Sequence, residues 1–184
     1  MDSALSDWQT YERDVLEELR AKYPRADVAH NVRLHGRRSG QLRQIDVLIT
    51  EQSGVRTEQT IVEAKRHSRK VDVKTVESFL GLLADVGASR GILICPKGYT
   101  RGALQRAFRE DVDLDLDIFT LAELREWQAS VAIPFAGKHG VVLPTPFGWV
   151  VDGERRDGTL ACLYRRGLTL ERAGEAKEWM YVNI

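Results

Sequence analysis

An unbroken apolar run, Gly91-Ile92-Leu93-Ile94-Cys95, constrains the fold more than any other segment of the chain. A strand with one solvated face alternates apolar and polar residues, so a run without polar positions predicts a central strand covered on both faces. The segment before it predicts a helix, because its apolar residues form one helical stripe between a capping Asp72 and a terminating Gly87. This succession is typical of α/β proteins with parallel pairing and right-handed crossovers.

The remaining segments extend this alternation in both directions. Ser6 and Gln9 have the form of a capping box, and so do Thr120 and Glu123. In chain order we predict a helix at 7–22, strands near 27–36, 44–49 and 61–65, a helix at 73–86, a strand at 91–95, a helix to about 108, a strand at 114–119 and a helix at 121–127. The predicted fold is α/β, a three-layer α/β/α sandwich with a mixed central sheet, in which an antiparallel hairpin adjoins parallel strands.

The composition changes near Val131, where prolines and glycines break the apolar pieces into short segments. We therefore predict a main domain at 1–128 and a small C-terminal α+β appendage at 129–184. Strands are expected at 148–151 and 179–182, around a short helix at 170–177. The chain ends inside an apolar segment, which leads us to expect that it is part of a longer protein.

Composition limits the classes of function. The chain has 184 residues, 43% of them hydrophobic, which is enough for a core. With 27 basic and 27 acidic residues the net charge is zero, so any affinity for DNA must come from local clusters of cations. No apolar run approaches the length of a membrane span, and we expect a cytoplasmic protein with no membrane partner. Cys95 and Cys162 lack the spacing of a metal site.

The strongest chemical signal is the segment Ile61-Val62-Glu63-Ala64-Lys65. Side chains alternate in a strand, so Glu63 and Lys65 share one face. Asp46 interrupts the preceding apolar strand, and a hairpin through Gln52–Arg56 would bring it near Glu63. Two carboxylates and an amine then converge. Carboxylate oxygens are ligands that Mg²⁺ prefers, and a lysine beside them can orient a water molecule or offset charge on a phosphate.

Asp46 followed by Glu63-Ala64-Lys65 resembles the signature of the PD-(D/E)XK nuclease superfamily, and the surroundings resemble its Mrr-like restriction endonuclease domain. The resemblance covers roughly residues 8–125 and implies a restriction-endonuclease-like fold. Many Mrr-like sequences have Gln in place of Glu63 and a glycine-rich run where this chain has 39–44.

The resemblance implies a metal-dependent endonuclease that hydrolyses phosphodiester bonds of DNA, in restriction or in defence against foreign DNA. Asp46 and Glu63 would hold Mg²⁺, with Mn²⁺ as a substitute, and Lys65 would assist the attacking water. DNA is the expected partner, and assembly as a homodimer or in a larger defence complex stays open. Two alternatives remain: a non-catalytic nucleic-acid-binding or assembly module with this fold, and an unrelated α/β domain in which Glu63 and Lys65 form a plain ion pair.

Two further acids are candidates for the site. Glu12 lies inside the apolar stripe of the first helix, between Trp8 and Leu16, where an unpaired acid is costly. The resembled family often places a glutamate of this helix in the active site, whereas the simpler alternative is an ion pair with an arginine. Glu77 lies at the border of the next helical stripe, and the resemblance makes it a candidate for supporting the site from outside.

Six basic residues are candidates for nucleic-acid binding. Arg37 and Arg38 lie in a predicted turn, and Arg66, Arg69 and Lys70 directly follow the catalytic strand. Lys97 opens the turn after the central strand, where a phosphate or an ordinary strand-to-helix connection is equally expected. Basic runs of this kind are often only solvated loops.

Overall fold

The computed structural model describes residues 7–65, 68–108, 114–136, 139–156 and 158–183. The helices are α1 (Asp7–Lys22), α2 (Val73–Val86), α3 (Arg101–Ala107), α4 (Leu121–Glu126) and α5 (Leu170–Ala176). The strands are β1 (Asp27–His35), β2 (Leu42–Ser53), β3 (Arg56–Ala64), β4 (Arg90–Ile94), β5 (Asp115–Phe119), β6 (Ser130–Ala136), β7 (His139–Pro144), β8 (Trp149–Asp152), β9 (Thr159–Arg165) and β10 (Trp179–Asn183). The chain divides into two compact units, Met1–Glu126 and Trp127–Ile184.

The first unit is built on a five-stranded sheet in the order β1-β2-β3-β4-β5. β1, β2 and β3 pair antiparallel, whereas β3, β4 and β5 pair parallel. Helices α2 and α3 cover one face, with Phe79 and Leu83 packed so closely over Gly91 that a side chain there would clash. Helices α1 and α4 contact each other and form the other layer. The predicted three-layer α/β/α sandwich with a mixed sheet is confirmed.

The capping signals place the helix ends where the sequence predicts them. Asp72 accepts hydrogen bonds from the Thr75 N–H at 3.0 Å and the Thr75 hydroxyl at 2.9 Å, which holds the pKa of Asp72 below its usual value. Gly87 ends α2 in the left-handed region, with φ of 75°. Thr120 and Glu123 form a reciprocal capping box at α4. Ser6, the predicted cap of α1, lies outside the described residues.

The turn between β1 and β2 is fastened to the C-terminal end of α2 by one buried carboxylate. Asp85 Oδ1 accepts the N–H groups of Arg38 at 3.1 Å and Ser39 at 2.9 Å, while Oδ2 accepts the Ser39 hydroxyl at 2.7 Å. Arg43 adds an ion pair at 3.5 Å. The hydrogen bonds from the Ser39 N–H and hydroxyl hold the pKa of Asp85 below its ordinary value.

The second unit contains a three-stranded antiparallel sheet in the order β10-β9-β8 and the hairpin β6–β7. Its buried residues include Ile133, Leu160 and Ala161. The strands expected at 148–151 and 179–182 and the helix at 170–177 are present, whereas β6, β7 and β9 were not predicted. Pro134 and Pro144 disfavour a strand in the sequence, but β6 and β7 form a two-stranded sheet in which each has a free edge that tolerates proline.

Within the described residues, no helix combines the length and the apolar character that crossing a membrane requires.

Candidate active site

Asp46, Glu63 and Lys65 meet where β2 and β3 lie side by side. The ladder between the two strands ends at the pair of Val47 and Val62, and Asp46 and Glu63 are the next residues beyond that pair. Asp46 Oδ2 accepts the N–H of Ala64 at 2.9 Å, so the carboxylate is fixed against the strand between the other two residues. Glu63 Oε1 and Lys65 Nζ form an ion pair. The side chains of Glu63 and Lys65 are 21% and 33% exposed, which leaves them accessible from solvent.

The site lies at the carboxyl end of the parallel strands. β3 and β4 pair as far as Ala64 and Ile94, and the Lys65 N–H donates to the Ile94 carbonyl at 2.7 Å. Lys65 is therefore the residue at which the chain leaves the sheet. Ligands in α/β proteins bind outside this end of the strands, because the strands stop there and the connecting loops open a crevice.

Glu12 and Asp46 line the same cavity. The cavity has a volume of about 290 Å³ and is lined by Gln9, Glu12, His30, Asn31, Gln44 and Asp46. α1, β1 and β2 each contribute two of these residues. Asp46 thus contacts Ala64 and also faces a polar cavity that contains the second predicted acid.

Sequence patterns did not single out four of the residues that line this cavity. Gln9 lies three residues before Glu12 on the same helix face, which is the one local signal that links it to the site. No sequence pattern links His30, Asn31 or Gln44 to the site. Gln44 Nε2 donates to Asn31 Oδ1 at 3.0 Å, which ties β2 to β1 beside Asp46.

The donor set fits Mg²⁺ by its chemistry. Within the described part of the chain, no group of three or more His, Cys, Asp or Glu side chains lies close enough to hold a metal ion. Mg²⁺ is ordinarily bound through one or two carboxylates, with water and phosphate oxygens completing its coordination. Asp46 and Glu63 supply two such carboxylates at an accessible strand end. These two residues are therefore suited to Mg²⁺ bound together with a phosphate, and not to a closed all-protein metal cage.

Glu77, the acid expected to support the site, has another partner. It is exposed on α2 and forms an ion pair with Arg106 of α3, with Nε and Oε1 2.5 Å apart. Among the contacts of the described residues, none joins Glu77 to Asp46, Glu63 or Lys65. Glu77 therefore links the two helices that cover this face of the sheet.

Exposed cations surround the strand ends next to Lys65. The backbone of Val71 bonds to Gly98 and Thr100, which brings the segment after Lys65 beside the turn after β4. Two more exposed cations, which no sequence pattern singles out, lie in the first turns of α2 and α3. We call this group the basic edge; it consists of Arg69, Lys70, Lys74, Lys97 and Arg101.

The other predicted cations are not part of the basic edge. Arg37 and Arg38 lie in the turn that Asp85 fastens to the C-terminal end of α2, and the Arg37 guanidinium covers Gly87. α2 has 14 residues, so its two ends are about 20 Å apart. Arg66 lies outside the described residues. The structure therefore separates the predicted nucleic-acid-binding residues into two groups.

A five-stranded mixed sheet between helical layers, with an Asp and a Glu-x-Lys on two neighbouring inner strands, defines the restriction-endonuclease-like class of proteins. Residues 7–127 match the Mrr_cat restriction endonuclease family, and the chain belongs to this family. The resemblance inferred from Asp46, Glu63 and Lys65 is thus confirmed.

Several solved structures, among them the following two, are similar over part of the chain. One is a protein of unknown function, AF1548, with 18% identity and a TM-score of 0.46, aligned over 59% of this chain and 57% of that one. The other is the MspJI restriction endonuclease in complex with a 27-mer oligonucleotide, with 17% identity and a TM-score of 0.40, aligned over 65% of this chain and 27% of that one. The similarity thus spans 57% of the length of AF1548 and 27% of MspJI. Among curated proteins, none matches this sequence.

Proposed function

We propose that this protein is a metal-dependent endonuclease that hydrolyses phosphodiester bonds of DNA, in restriction or in defence against foreign DNA. One observation carries the proposal: in a chain of a restriction endonuclease family, Asp46 is held against Ala64, between Glu63 and Lys65, at the carboxyl end of the parallel strands. Hydrolysis of a phosphodiester needs this combination of hard oxygen ligands and a cation.

In the proposed mechanism Asp46 and Glu63 hold Mg²⁺, with Mn²⁺ as a substitute. When bound, the ion polarises the phosphate and lowers the pKa of a water molecule. Asp46 is preorganised for this role, because its carboxylate already accepts the Ala64 N–H. Lys65 orients the attacking water and offsets the negative charge that develops on the phosphate oxygens. The ion pair with Glu63 keeps the ammonium group of Lys65 at the strand end while the substrate is absent.

Glu12 is proposed to support the site from α1. It lines the same cavity as Asp46, which is an arrangement that a plain surface ion pair would not need. Glu77 is kept only as a candidate for indirect support, through the packing of α2 against α3.

The basic edge is the proposed binding surface for the DNA backbone. Its five cations lie at the same end of the sheet as Lys65, and the nearby Asp72 accepts hydrogen bonds from Thr75 and also attracts Arg69. A protein of zero net charge can bind a polyanion when cations are grouped in this way. Arg37, Arg38 and Arg66 stay candidates for further contacts. A homodimer or a larger defence complex remains a prediction from the resemblance.

The test is incubation of supercoiled plasmid with the wild-type protein and with Asp46→Asn, in Mg²⁺, Mn²⁺, Ca²⁺ or EDTA. We expect cleavage of wild-type samples in Mg²⁺ and Mn²⁺ and little in Ca²⁺, because Ca²⁺ is larger and accepts irregular coordination. Asp46→Asn should bind Mn²⁺ more weakly in a calorimetric titration and should not cleave. Full cleavage in EDTA, or by Asp46→Asn, would contradict the mechanism.

The same samples address the alternative of a non-catalytic binding module. DNA binding that is salt-dependent, indifferent to divalent ions and never followed by cleavage would favour that alternative.

A further inference from the structure

In the hairpin of β1 and β2, the side chains switch from one face of the sheet to the other at one position. Residues two apart in a regular strand share a face. Ile45 belongs to the buried cluster under α2, together with Leu48 and Ile61, whereas Val47 is buried outside that cluster. The side-chain alternation of β2 is therefore broken between Ile45 and Val47, at Asp46.

The partner strand breaks its alternation at the matching place. His30 lines the cavity with Gln9 and Glu12 of α1, whereas Val32 packs against the cluster under α2. The ladder pairs His30 with Val47 and Val32 with Ile45, which places Asn31 opposite Asp46. Both strands therefore switch faces at the same pair of opposite residues, Asn31 and Asp46.

Asn31 has the backbone conformation that produces this exchange. Its φ is 53°, in the left-handed region, and among described residues other than glycine it shares a positive φ only with Lys177. Asparagine tolerates this region better than most residues, because its short amide forms local hydrogen bonds. Here the amide oxygen accepts a bond from Gln44 Nε2 on the neighbouring strand.

The exchange lets one hairpin serve two purposes. Beyond the pair of Asn31 and Asp46, Val32, Leu34 and Ile45 pack under α2, and Asp85 fastens the turn to the end of that helix. On the other side of this pair of residues, 27–30 of β1 and 47–53 of β2 stay in the central sheet. The Asp46 carboxylate lies where the faces switch, with Ala64 on one side and the cavity that Glu12 lines on the other.

We propose that Asn31 is a positioning residue of the active site, whose left-handed backbone sets the place of the Asp46 carboxylate. The catalytic consequence rests on the proposed nuclease function, whereas the effect on Asp46 does not. Asn31 is exposed, so a substitution there removes little buried surface.

The test compares three variants of the full chain. Asn31→Gly removes the amide but keeps access to the left-handed region, and Asn31→Val disfavours that region strongly. Arg33→Val is the matched control, since Arg33 is exposed on the same strand and its φ is not positive. Asn31→Ala serves as the milder variant if Asn31→Val does not fold.

The first readout is amide hydrogen exchange of Ala64, whose N–H is bound by the Asp46 carboxylate. We expect exchange roughly tenfold faster or more in Asn31→Val, with the amides of Ile61 and Leu93 unchanged, and near-wild-type exchange in Asn31→Gly and Arg33→Val. This readout requires neither metal nor cleavage. It therefore stays decisive if the plasmid assay shows no nuclease activity.

The second readout is the cleavage rate. We expect kcat to fall roughly 100-fold in Asn31→Val with KM little changed, because a misplaced ligand harms the reaction more than DNA binding. Asn31→Gly should stay within about threefold of wild type. Unchanged Ala64 exchange in Asn31→Val, or an Asn31→Gly variant as impaired as Asn31→Val, would overturn the proposal.

Discussion

At the scale of single residues, the site depends on how each charge is held. Asp46 is fixed by a backbone N–H, whereas Glu63 and Lys65 hold each other through an ion pair. A carboxylate fixed by the backbone loses little freedom when it binds a ligand, and an amine that releases one partner can take up another. The two kinds of restraint suit a residue that binds an ion and a residue that acts on the substrate.

Lys65→Ala should separate these two roles. We expect the rate of the chemical step to fall about 100-fold or more, because the ammonium group acts mainly on the developing charge of the transition state. Mn²⁺ affinity should stay close to wild type, since Asp46 and Glu63 remain. Single-turnover cleavage and calorimetry measure the two quantities, and Arg20→Ala, which removes an exposed cation of α1, is the control. A near-wild-type rate would assign Lys65 to structure.

At the scale of elements, the β1–β2 turn depends on one carboxylate. Asp85 accepts three hydrogen bonds from Arg38 and Ser39 and is 7% exposed. These bonds favour the ionised form, so folding lowers the pKa of this group. The stabilisation is fully present above the unfolded pKa, near 4, and is lost as the pH falls through the lower folded pKa.

Asp85→Asn should therefore lower the free energy of unfolding at pH 7, because the amide cannot accept all of these bonds. The difference between wild type and variant should narrow as the pH falls below about 4, where the unfolded wild-type chain takes up a proton at this carboxyl and the folded chain still resists it. Urea unfolding at several pH values measures this difference. Asp115→Asn, at an exposed position of β5, is the control and should not differ from wild type. A difference that stays constant through the acid range would show that the charge of Asp85 does not matter.

The positions of the secondary-structure elements also group the cations of the basic edge. The turn after β4 and the first turns of α2 and α3 carry most of these cations. The double variant Lys74→Gln/Arg101→Gln should weaken binding to all DNA sequences alike. It should also flatten the slope of log affinity against log salt by roughly one to two units, because each phosphate contact releases about one counterion.

Fluorescence anisotropy on two unrelated duplexes, in Ca²⁺ at several salt concentrations, measures this slope. The control Arg13→Gln/Arg20→Gln makes the same change of charge on exposed positions of α1 and should leave the slope unchanged. Equal slopes for the two double variants would place the DNA away from the basic edge. The pair Arg37→Gln/Arg38→Gln then asks whether DNA also reaches the far end of α2.

At the scale of the whole molecule, the charge balance has a consequence for binding. The chain carries 27 basic and 27 acidic residues, so no long-range field draws DNA to it. Under the proposed function, affinity for DNA at physiological salt is expected to come from local groups of cations such as the basic edge. Each unit has its own buried cluster: the first includes Phe79 and Leu83, and the second includes Ile133, Leu160 and Ala161.

Local patterns in the sequence determined most of the fold of the first unit. Caps at Asp72 and Thr120, the stop at Gly87 and the apolar run at 91–95 act within a few residues, and each predicted its element correctly. Asp46 and Glu63 could be paired in advance for the same reason, because one short hairpin separates them. The strands of the second unit were predicted less well, since proline excludes a central strand but tolerates a free edge, and the sequence does not reveal which of these a strand will be.

Only the tertiary structure decided what surrounds these two acids. The cavity joins α1 to β1 and β2, the Asp85 bonds cross 46 residues of sequence, and the basic edge forms because Val71 pairs with Tyr99. The left-handed backbone of Asn31 is likewise invisible in the sequence, because asparagine adopts both right-handed and left-handed conformations and its identity alone does not select one. Contacts between segments that are distant in sequence depend on how the layers pack. The periodicity of residues within one segment contains no information about which other segment it will contact.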